Sequence, residues 1–141
     1  ATRPLLPTIQ ARCGEILLSI LIATAVLWLW QRSAPVRNQA RLQVRAMESM
    51  ATLLGLLFVN PPDSVLSARR DLQYELLSER RAIQSLAADN PEAVRQFWAR
   101  HIALQHAGYF LLDFCTTHPD RTATREELDA LVREIRAARA A

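Results

Sequence analysis

Lysine is absent from this sequence of 141 residues, so that all 17 basic residues are arginines. Glycine and cysteine are also scarce, with three and two residues, and aromatic residues make up only 6% of the chain. So few glycines leave no glycine-rich phosphate loop, no Gly-x-Ser-x-Gly elbow and no hairpin-type turn. The two cysteines, Cys13 and Cys115, are too far apart in sequence to predict a disulfide or a zinc site. A disordered chain is excluded as well, because half of the residues are hydrophobic.

Chemistry-bearing residues are scattered rather than grouped. His101 and His106 are five residues apart and therefore point to different faces of a helix, whereas metal-binding pairs prefer a spacing of three or four. His118 precedes a proline in a polar loop with no acid at a known spacing. We therefore predict no enzymatic activity, no catalytic residue, no metal and no cofactor. The arginines are dispersed among 14 acids with a net charge of +3, so nucleic acid is not an expected partner.

One segment is strongly apolar. No charged residue occurs from Ile16 to Gln31, and the run is hydrophobic apart from Ser19 and Thr24. As a helix it would reach ~24 Å, and adding the three preceding residues, with Glu15 directed towards the headgroups, gives about one thin-membrane span. The sequence therefore predicts a transmembrane helix.

The residues that follow this run are typical of a membrane boundary. Trp28 and Trp30 lie at its end, where amphipathic rings prefer the headgroup zone, and Arg32 and Arg37 come next. We predict that these four residues anchor the helix at the interface with the lipid bilayer. Arg41 and Arg45 extend the arginine cluster, against only Arg3 and Arg12 before the run. The positive-inside rule then places the C-terminal part in the cytoplasm of a bacterial cell, bounded by the inner membrane.

Two other interpretations of the apolar run are open. A buried helix of a soluble bundle has a similar length and composition. A signal peptide is the third interpretation, although the bulky residues Leu27 to Trp30 are a poor cleavage context, since cleavage sites have small residues. We favour the membrane, and predict a membrane helix with flanks over residues 1–34 and a cytoplasmic helical domain over residues 35–141.

The rest of the chain shows helical periodicity and no strand signal. Pro35 is expected to open a helix, Asn60 or Asp63 to cap the next, Asn90 to cap a third, and Thr124 to form a capping box with Glu127. The expected apolar lines of the four helices are Val36, Ala40, Val44, Met47, Ala51, Leu54 and Phe58; Val65, Leu72, Leu76, Ile83 and Leu86; Val94, Phe97, Trp98, Ile102, Gln105, Tyr109 and Leu112; and Leu128, Leu131, Val132 and Ile135. The predicted fold is all-α: one transmembrane or buried helix, then an antiparallel bundle of about four amphipathic helices.

Glu79 is the one charged residue on the apolar line of the second helix of this bundle. We expect it to lie at the edge of the seam and to pair with an arginine, such as Arg80 or Arg81, of a neighbouring helix or copy. The leucine-rich helices and Glu79 would also allow homo-oligomers.

The start of the apolar run resembles the fusaric acid resistance and aromatic acid exporter family. In that family an arginine is followed three residues later by an acid at the start of the last membrane helix, and a tryptophan lies near its end. Arg12, Glu15 and Trp30 match this pattern. Ser19 stands where the family usually has glycine, and Gln31 where it has proline.

The resemblance implies an inner-membrane efflux protein that exports aromatic carboxylic acids or related toxic compounds. We then expect this chain to be the C-terminal piece of a longer transporter, with Arg12 and Glu15 as a substrate-path pair or as simple interface anchors. The alternative is a single-pass membrane-anchored or soluble helical adaptor without transport activity.

Overall fold

The computed structural model describes the backbone of residues 5–141 and the side chains of residues 8–141. Within these residues the chain is all-α, as predicted, with four helices, one 3-10 turn and no strand. The helices are α1 (Leu5–Leu57), α2 (Leu66–Asp89), α3 (Pro91–Thr117) and α4 (Arg125–Ala140), and the 3-10 turn Pro62–Val65 precedes α2. Arg3 lies outside the described residues.

The chain divides into two compact units, of which the first ends at Pro35 and the second is Val36–Ala141. Helix α1 is assigned through Pro35, so the helix start expected there is wrong. A proline inside a helix removes one backbone hydrogen bond, because its nitrogen carries no hydrogen. Sequence periodicity alone cannot separate a helix that contains such a proline from one that starts at it.

The first unit is a helix whose apolar side chains face outward. Its large hydrophobic residues between Ile16 and Trp30 are 55–66% exposed. The most apolar 18-residue window has a mean hydropathy of 2.0, and none of it is buried. One helix is therefore long and apolar enough to span a membrane, and it lacks the burial that the soluble-bundle alternative predicts.

The second unit is a bundle in which consecutive helices are antiparallel. In each pair of helices that follow one another in sequence, the contacting residues rise in number along one helix and fall in number along the other. These contacts are Gln39 with Glu79 and Arg45 with Glu75, Glu79 with His101 and Leu76 with Gln105, and His106 with Glu134 and His118 with Glu127. Residues 36–57 of α1 therefore run parallel to α3 and antiparallel to α4.

Two apolar cores fill the bundle. The larger is built around Met50, Leu76, Leu111 and Leu131, one from each helix, all 0–1% exposed. The smaller lies where α2 ends and α3 begins, and consists of Ile83, Leu86, Val94 and Phe97. Fully burying one such side chain contributes about 1.5–3 kcal/mol, so these cores dominate the stability of the unit.

The apolar line predicted for the first bundle helix is wrong. Val44 and Phe58, both on that line, are 53% and 52% exposed. The buried residues lie on the adjacent line, which is Gln39, Gln43, Ala46, Met50, Leu53 and Leu57. This line begins with two glutamines, so it is the less apolar of the two in sequence, and it is buried because both glutamines have polar partners inside the bundle.

The helix ends were predicted with mixed success. Asn90 caps α3 by accepting a hydrogen bond from the Ala93 amide, and Thr124 and Glu127 form the capping box of α4, as expected. Neither Asn60 nor Asp63 caps α2, because the intervening 3-10 turn makes Val65 the residue before it. The apolar line of α2 is confirmed, whereas Trp98, Ile102 and Tyr109 of the α3 line are about half exposed.

Candidate functional site

The residues predicted to anchor a membrane interface lie on the exposed surface of α1. Trp28 and Trp30 are 55% and 62% exposed, and the Arg32 guanidinium lies 5.1 Å from the centre of the Trp28 ring. This distance is within the range of a cation–π contact. Arg37, the first arginine of the second unit, is also exposed. Aromatic rings at the end of the apolar run are thus followed in sequence by exposed arginines.

Arg12 and Glu15 are both exposed near the start of α1. They are three residues apart, which puts them on the same side of the helix. Among the described residues, neither side chain forms an ion pair or a hydrogen bond. Both charges are therefore available to groups outside the described part of the chain.

A buried polar layer, formed by Gln39, Gln43, Glu79, His101 and Gln105, crosses the bundle between the two apolar cores. Glu79, at its centre, is 0% exposed. Helix α1 supplies the first two residues, α2 the carboxylate, and α3 the last two. Sequence analysis found Glu79 on the buried line but missed its partners.

The Glu79 carboxylate accepts hydrogen bonds from all four of its neighbours in this layer. His101 Nδ1 lies 2.6 Å from Oε2 and 2.9 Å from Oε1, and Gln105 Nε2 lies 3.0 Å from Oε2. Nε2 of Gln39 and of Gln43 lie 3.0 and 3.3 Å from Oε1. The expected pairing of Glu79 with Arg80 or Arg81 is therefore wrong, because both arginines are exposed while the carboxylate points into the bundle.

The backbone fixes the orientation of two of these amides. Gln43 Nε2 also donates to the carbonyl of Phe97 at 3.2 Å, and Gln105 Nε2 donates to the carbonyl of Leu76 at 2.9 Å. The two carbonyls and the Glu79 carboxylate are all acceptors and need an N–H donor. Neither amide can therefore be flipped without losing a hydrogen bond. The Oε1 atoms of Gln39 and Gln43 are buried without a hydrogen-bond partner. An unpaired buried acceptor costs free energy, which restricts the side chains tolerated around the layer.

This arrangement holds the Glu79 carboxylate in place between four donor side chains. The layer contains one carboxylate and one imidazole, and no three His, Cys, Asp or Glu side chains within residues 8–141 come together as metal ligands would. His101 also contacts the ring of Trp98, with ring centres 5.4 Å apart. We interpret the layer as a structural element that fixes how three helices align, since any slip would leave a buried charge without donors.

A second group of charged residues lies around the loop between α3 and α4. Arg121 donates to both carboxylate oxygens of Glu127 at 2.8 and 3.0 Å, and the Thr124 hydroxyl donates at 2.8 Å. The hydrogen bond from Arg121, followed by that from Thr124, lowers the pKa of Glu127 from its ordinary value of 4.5 to about 2. Nearby, a hydrogen bond with Asp120 raises the pKa of Asp63. This surface therefore combines the Arg121–Glu127 ion pair with two neighbouring acids, Asp63 and Asp120.

The two cysteines differ in access. Cys13 is exposed on the first unit, and Cys115 is buried in the larger core. Burial raises the pKa of the Cys115 thiol, with Arg69 acting weakly in the other direction. A buried thiol with a raised pKa is a poor nucleophile, so Cys115 is a packing residue.

Comparison of the chain with models of known protein families, with curated proteins and with solved structures finds no match.

Proposed function

We propose that this chain spans a bacterial inner membrane through its apolar run, carries a cytoplasmic helical bundle, and works as part of an efflux protein for aromatic carboxylic acids. The observation that carries this proposal is that the large apolar side chains between Ile16 and Trp30 are all 55–66% exposed, whereas the bundle encloses two apolar cores. On this proposal the chain is not an enzyme.

The exposed run favours a lipid environment on energetic grounds. Each valine, leucine or isoleucine side chain that moves from water into an apolar medium gains about 1.5–3 kcal/mol, and nine such side chains between Ile16 and Trp30 are more than half exposed. The helical backbone satisfies its own hydrogen bonds, as a membrane requires. The rings of Trp28 and Trp30 then suit the headgroup region.

Arginine distribution supports a cytoplasmic bundle. Arg32, Arg37 and Arg41 follow the run within one short stretch, whereas Arg12 alone precedes it among the described residues, beside Glu15. Positive residues near the end of a membrane helix are retained on the cytoplasmic side. Attraction to anionic headgroups would add about 1 kcal/mol per arginine near the surface.

Arg12 and Glu15 support a place in a larger transporter. Charged residues within membrane segments commonly pair with one another or mark a substrate path, and Arg12 and Glu15, at the edge of the run, form no ion pair among the described residues. On our proposal they meet other membrane helices or an anionic substrate. Arg12 would attract a carboxylate, and Glu15 would hold Arg12 in position.

Membrane location is tested first, by fractionation. The protein, expressed in bacteria, is expected to stay with the membranes after washing with alkaline carbonate. Its C-terminus is expected to be inaccessible to protease in intact spheroplasts and accessible after lysis. Recovery in the soluble fraction without detergent would contradict the membrane proposal, and cleavage of the C-terminus in intact spheroplasts would contradict the orientation.

Transport is tested in the full-length protein that contains this sequence. Arg12→Gln and Glu15→Gln are expected to lower resistance of the host to benzoate, while Gln10→Ala, an exposed neutral neighbour on the same helix, leaves it unchanged. Membrane abundance of each variant is measured by immunoblot. Unchanged resistance in both charge variants, at equal abundance, removes Arg12 and Glu15 from the substrate path.

A single-pass adaptor is the second candidate, favoured by the exposed aromatic side of α3. Trp98, Ile102 and Tyr109 are about half exposed and lie at helical spacing. Exposed apolar side chains at this spacing are typical of surfaces that bind a partner helix. If the expressed protein fractionates with the membranes, and a strain in which the gene is deleted keeps its benzoate resistance, the adaptor becomes the better proposal.

A further inference from the structure

A groove of about 480 Å³ lies on the bundle between α1 and α4. Its floor consists of Val44, Met47 and Ala51 from α1 and Ile135 from α4. This size falls within the usual range of small-molecule sites, about 300–1,000 Å³, and such sites are mostly apolar with a few polar groups. The groove lies outside the apolar run and shares one lining residue, Gln43, with the polar layer.

The groove exists because α1 carries two apolar lines. One line packs into the larger core, and on the adjacent line Val44 and Ala51 are exposed while Met47 is partly buried against that core. Helix α4 runs beside this outer line and covers it only in part, since Val44 is still 53% exposed. An apolar channel is left along the helices. From Val44 to Ala51 it extends about 10 Å, at a rise of 1.5 Å per residue.

Two arginines line the same end of this groove. Arg100 of α3 lies three residues after Phe97, whose carbonyl binds Gln43, and Gln43 itself lines the groove. Glu134 of α4 contacts His106 of α3, and the two helices are antiparallel. Arg139, five residues after Glu134, therefore lies about level with residues 100–101 of α3. Both arginines therefore occupy helix positions near the Gln43 end of the groove.

Neither arginine is neutralised by an acidic side chain of residues 8–141. Among the described residues, Arg100 and Arg139 form no ion pair and no hydrogen bond, whereas Arg45 and Arg121 each bind a glutamate. The one acid lining the groove is Glu48, on the turn after Val44 and further from the arginine end. Glu48 therefore disfavours a carboxylate in the middle of the groove, while the two arginines attract one at its end.

We propose that this groove binds an amphipathic monocarboxylate with a flexible apolar chain of about the length of octanoate. The carboxylate binds Arg100 and Arg139, and the chain lies along Val44, Met47 and Ala51 towards Ile135. A flexible chain suits this floor because it is long, narrow and lined by aliphatic and thioether side chains. The site lies in the bundle and does not rest on the efflux proposal.

The probe is sodium octanoate, titrated by calorimetry into the full chain in lipid nanodiscs, with empty nanodiscs subtracted to remove partitioning into lipid. The neutral alcohol 1-octanol has the same apolar chain without the charge. We expect octanoate to bind saturably and 1-octanol to bind at least tenfold more weakly, because a charge-assisted bond to arginine is roughly twice as strong as a neutral hydrogen bond.

The matched variants remove the same charge from the same two helices. Arg100→Gln with Arg139→Gln is expected to weaken octanoate binding roughly tenfold or more. Arg95→Gln with Arg133→Gln, exposed arginines of α3 and α4 that do not line the groove, is expected to leave binding unchanged. Ala51→Trp, an exposed position whose larger side chain fills the floor, is expected to abolish binding without lowering thermal stability.

Three results would overturn the proposal. The first is the absence of saturable binding heat, above that of empty nanodiscs, at octanoate concentrations up to about 10 mM. A dissociation constant above that concentration is too weak for a useful small-ligand site. The second is equal affinity for 1-octanol, which would show a merely apolar surface. The third is equal weakening by both pairs of arginine substitutions, which would show a diffuse charge effect. Each result leaves the benzoate resistance test of the efflux proposal unaffected.

Discussion

The apolar run of α1 and the helical bundle use the same side chains in opposite ways. Between Ile16 and Trp30, leucine, isoleucine and valine surround the helix and stay exposed. From Val36 onward one line of each helix buries these residue types in the two apolar cores, while others, such as Val44 and Ile102, stay about half exposed. The near-zero mean hydropathy of +0.01 averages these two regions and describes neither.

The two regions also treat charge differently. The run excludes charge, whereas the bundle places the Glu79 carboxylate at its centre and surrounds it with donors. A membrane helix has no hydrogen-bond donors to offer such a charge, while a bundle can supply them from neighbouring helices. Apolar content alone therefore does not separate a spanning helix from a core helix; the distribution of apolar residues around the helix does.

The largest expected effect comes from placing charge in the apolar run. Leu21→Arg with Val26→Arg puts two charges near its centre, each costing about 2.5–3.5 kcal/mol in membrane insertion. We expect the variant to leave the carbonate-washed membrane fraction. Gln73→Arg with Gln84→Arg adds the same charge at exposed positions of α2 and is expected to change nothing. Full membrane retention of the first variant would show that the run is not a spanning helix.

Removing the central charge of the polar layer is expected to be the most destabilising single change in the bundle. Glu79→Ala removes the side-chain acceptor of the His101 imidazole and of three amides, of which those of Gln43 and Gln105 keep a backbone acceptor within 3.2 Å. It should cost about 3–5 kcal/mol of unfolding free energy. Asp129→Ala, at an exposed position of α4, should cost less than about 0.5 kcal/mol. The measurement is urea unfolding of the full chain, followed by circular dichroism. A cost for Glu79→Ala no larger than that of the control would show that the layer does not stabilise the bundle.

Local signals predicted most of the fold. The all-α class, the caps at Asn90 and Thr124 and the buried line of α2 follow from residue spacing and capping chemistry, which depend on neighbours in sequence. The run was also recognisable, since it needs only composition. The predicted anchors Trp28, Trp30, Arg32 and Arg37 lie where the pattern placed them, and their role in a membrane stays a prediction.

Tertiary partners could not be read in the same way. The apolar line chosen for α1 was the more hydrophobic of two, and the line that is buried begins with Gln39 and Gln43. Only the position of Glu79, on another helix, makes those glutamines suitable for the interior. A signal was present: polar residues four apart occur on α1 at 39 and 43 and on α3 at 101 and 105, opposite one buried acid. Such a pattern predicts a polar layer only when several helices are considered together.

Two glycines provide a smaller test of packing inside the bundle. A Cβ at Gly108 would lie 2.5 and 2.7 Å from the Cδ atoms of Leu76, which is 0% exposed, whereas a Cβ at Gly55 would meet nothing within 4 Å. Gly55→Ala should therefore stabilise the chain by about 0.5–1 kcal/mol. Gly108→Ala should destabilise it by about 1 kcal/mol, because overpacking exceeds the same helical gain. Urea unfolding of both variants decides, and a gain at Gly108 as large as that at Gly55 would contradict close packing there.

The smallest expected effect concerns acid at the exposed end of the bundle. The pKa of Glu127 is about 2 in the folded chain against an ordinary 4.5, so the unfolded chain binds a proton more readily. The ion pair with Arg121 thus stabilises the fold fully above about pH 4.5, and this contribution is lost as the pH falls towards 2.

Glu127→Gln keeps a side chain able to complete the capping box and removes the titration. The variant should show a shallower fall in thermal unfolding midpoint between pH 4.5 and 2 than the natural chain, while Glu126→Gln, an exposed neighbour without an ion-pair partner among the described residues, keeps the full slope. If the unfolding midpoint falls equally with acid in all three proteins, the Arg121–Glu127 ion pair does not form in solution. The exposed end of the bundle would then be less ordered than its core.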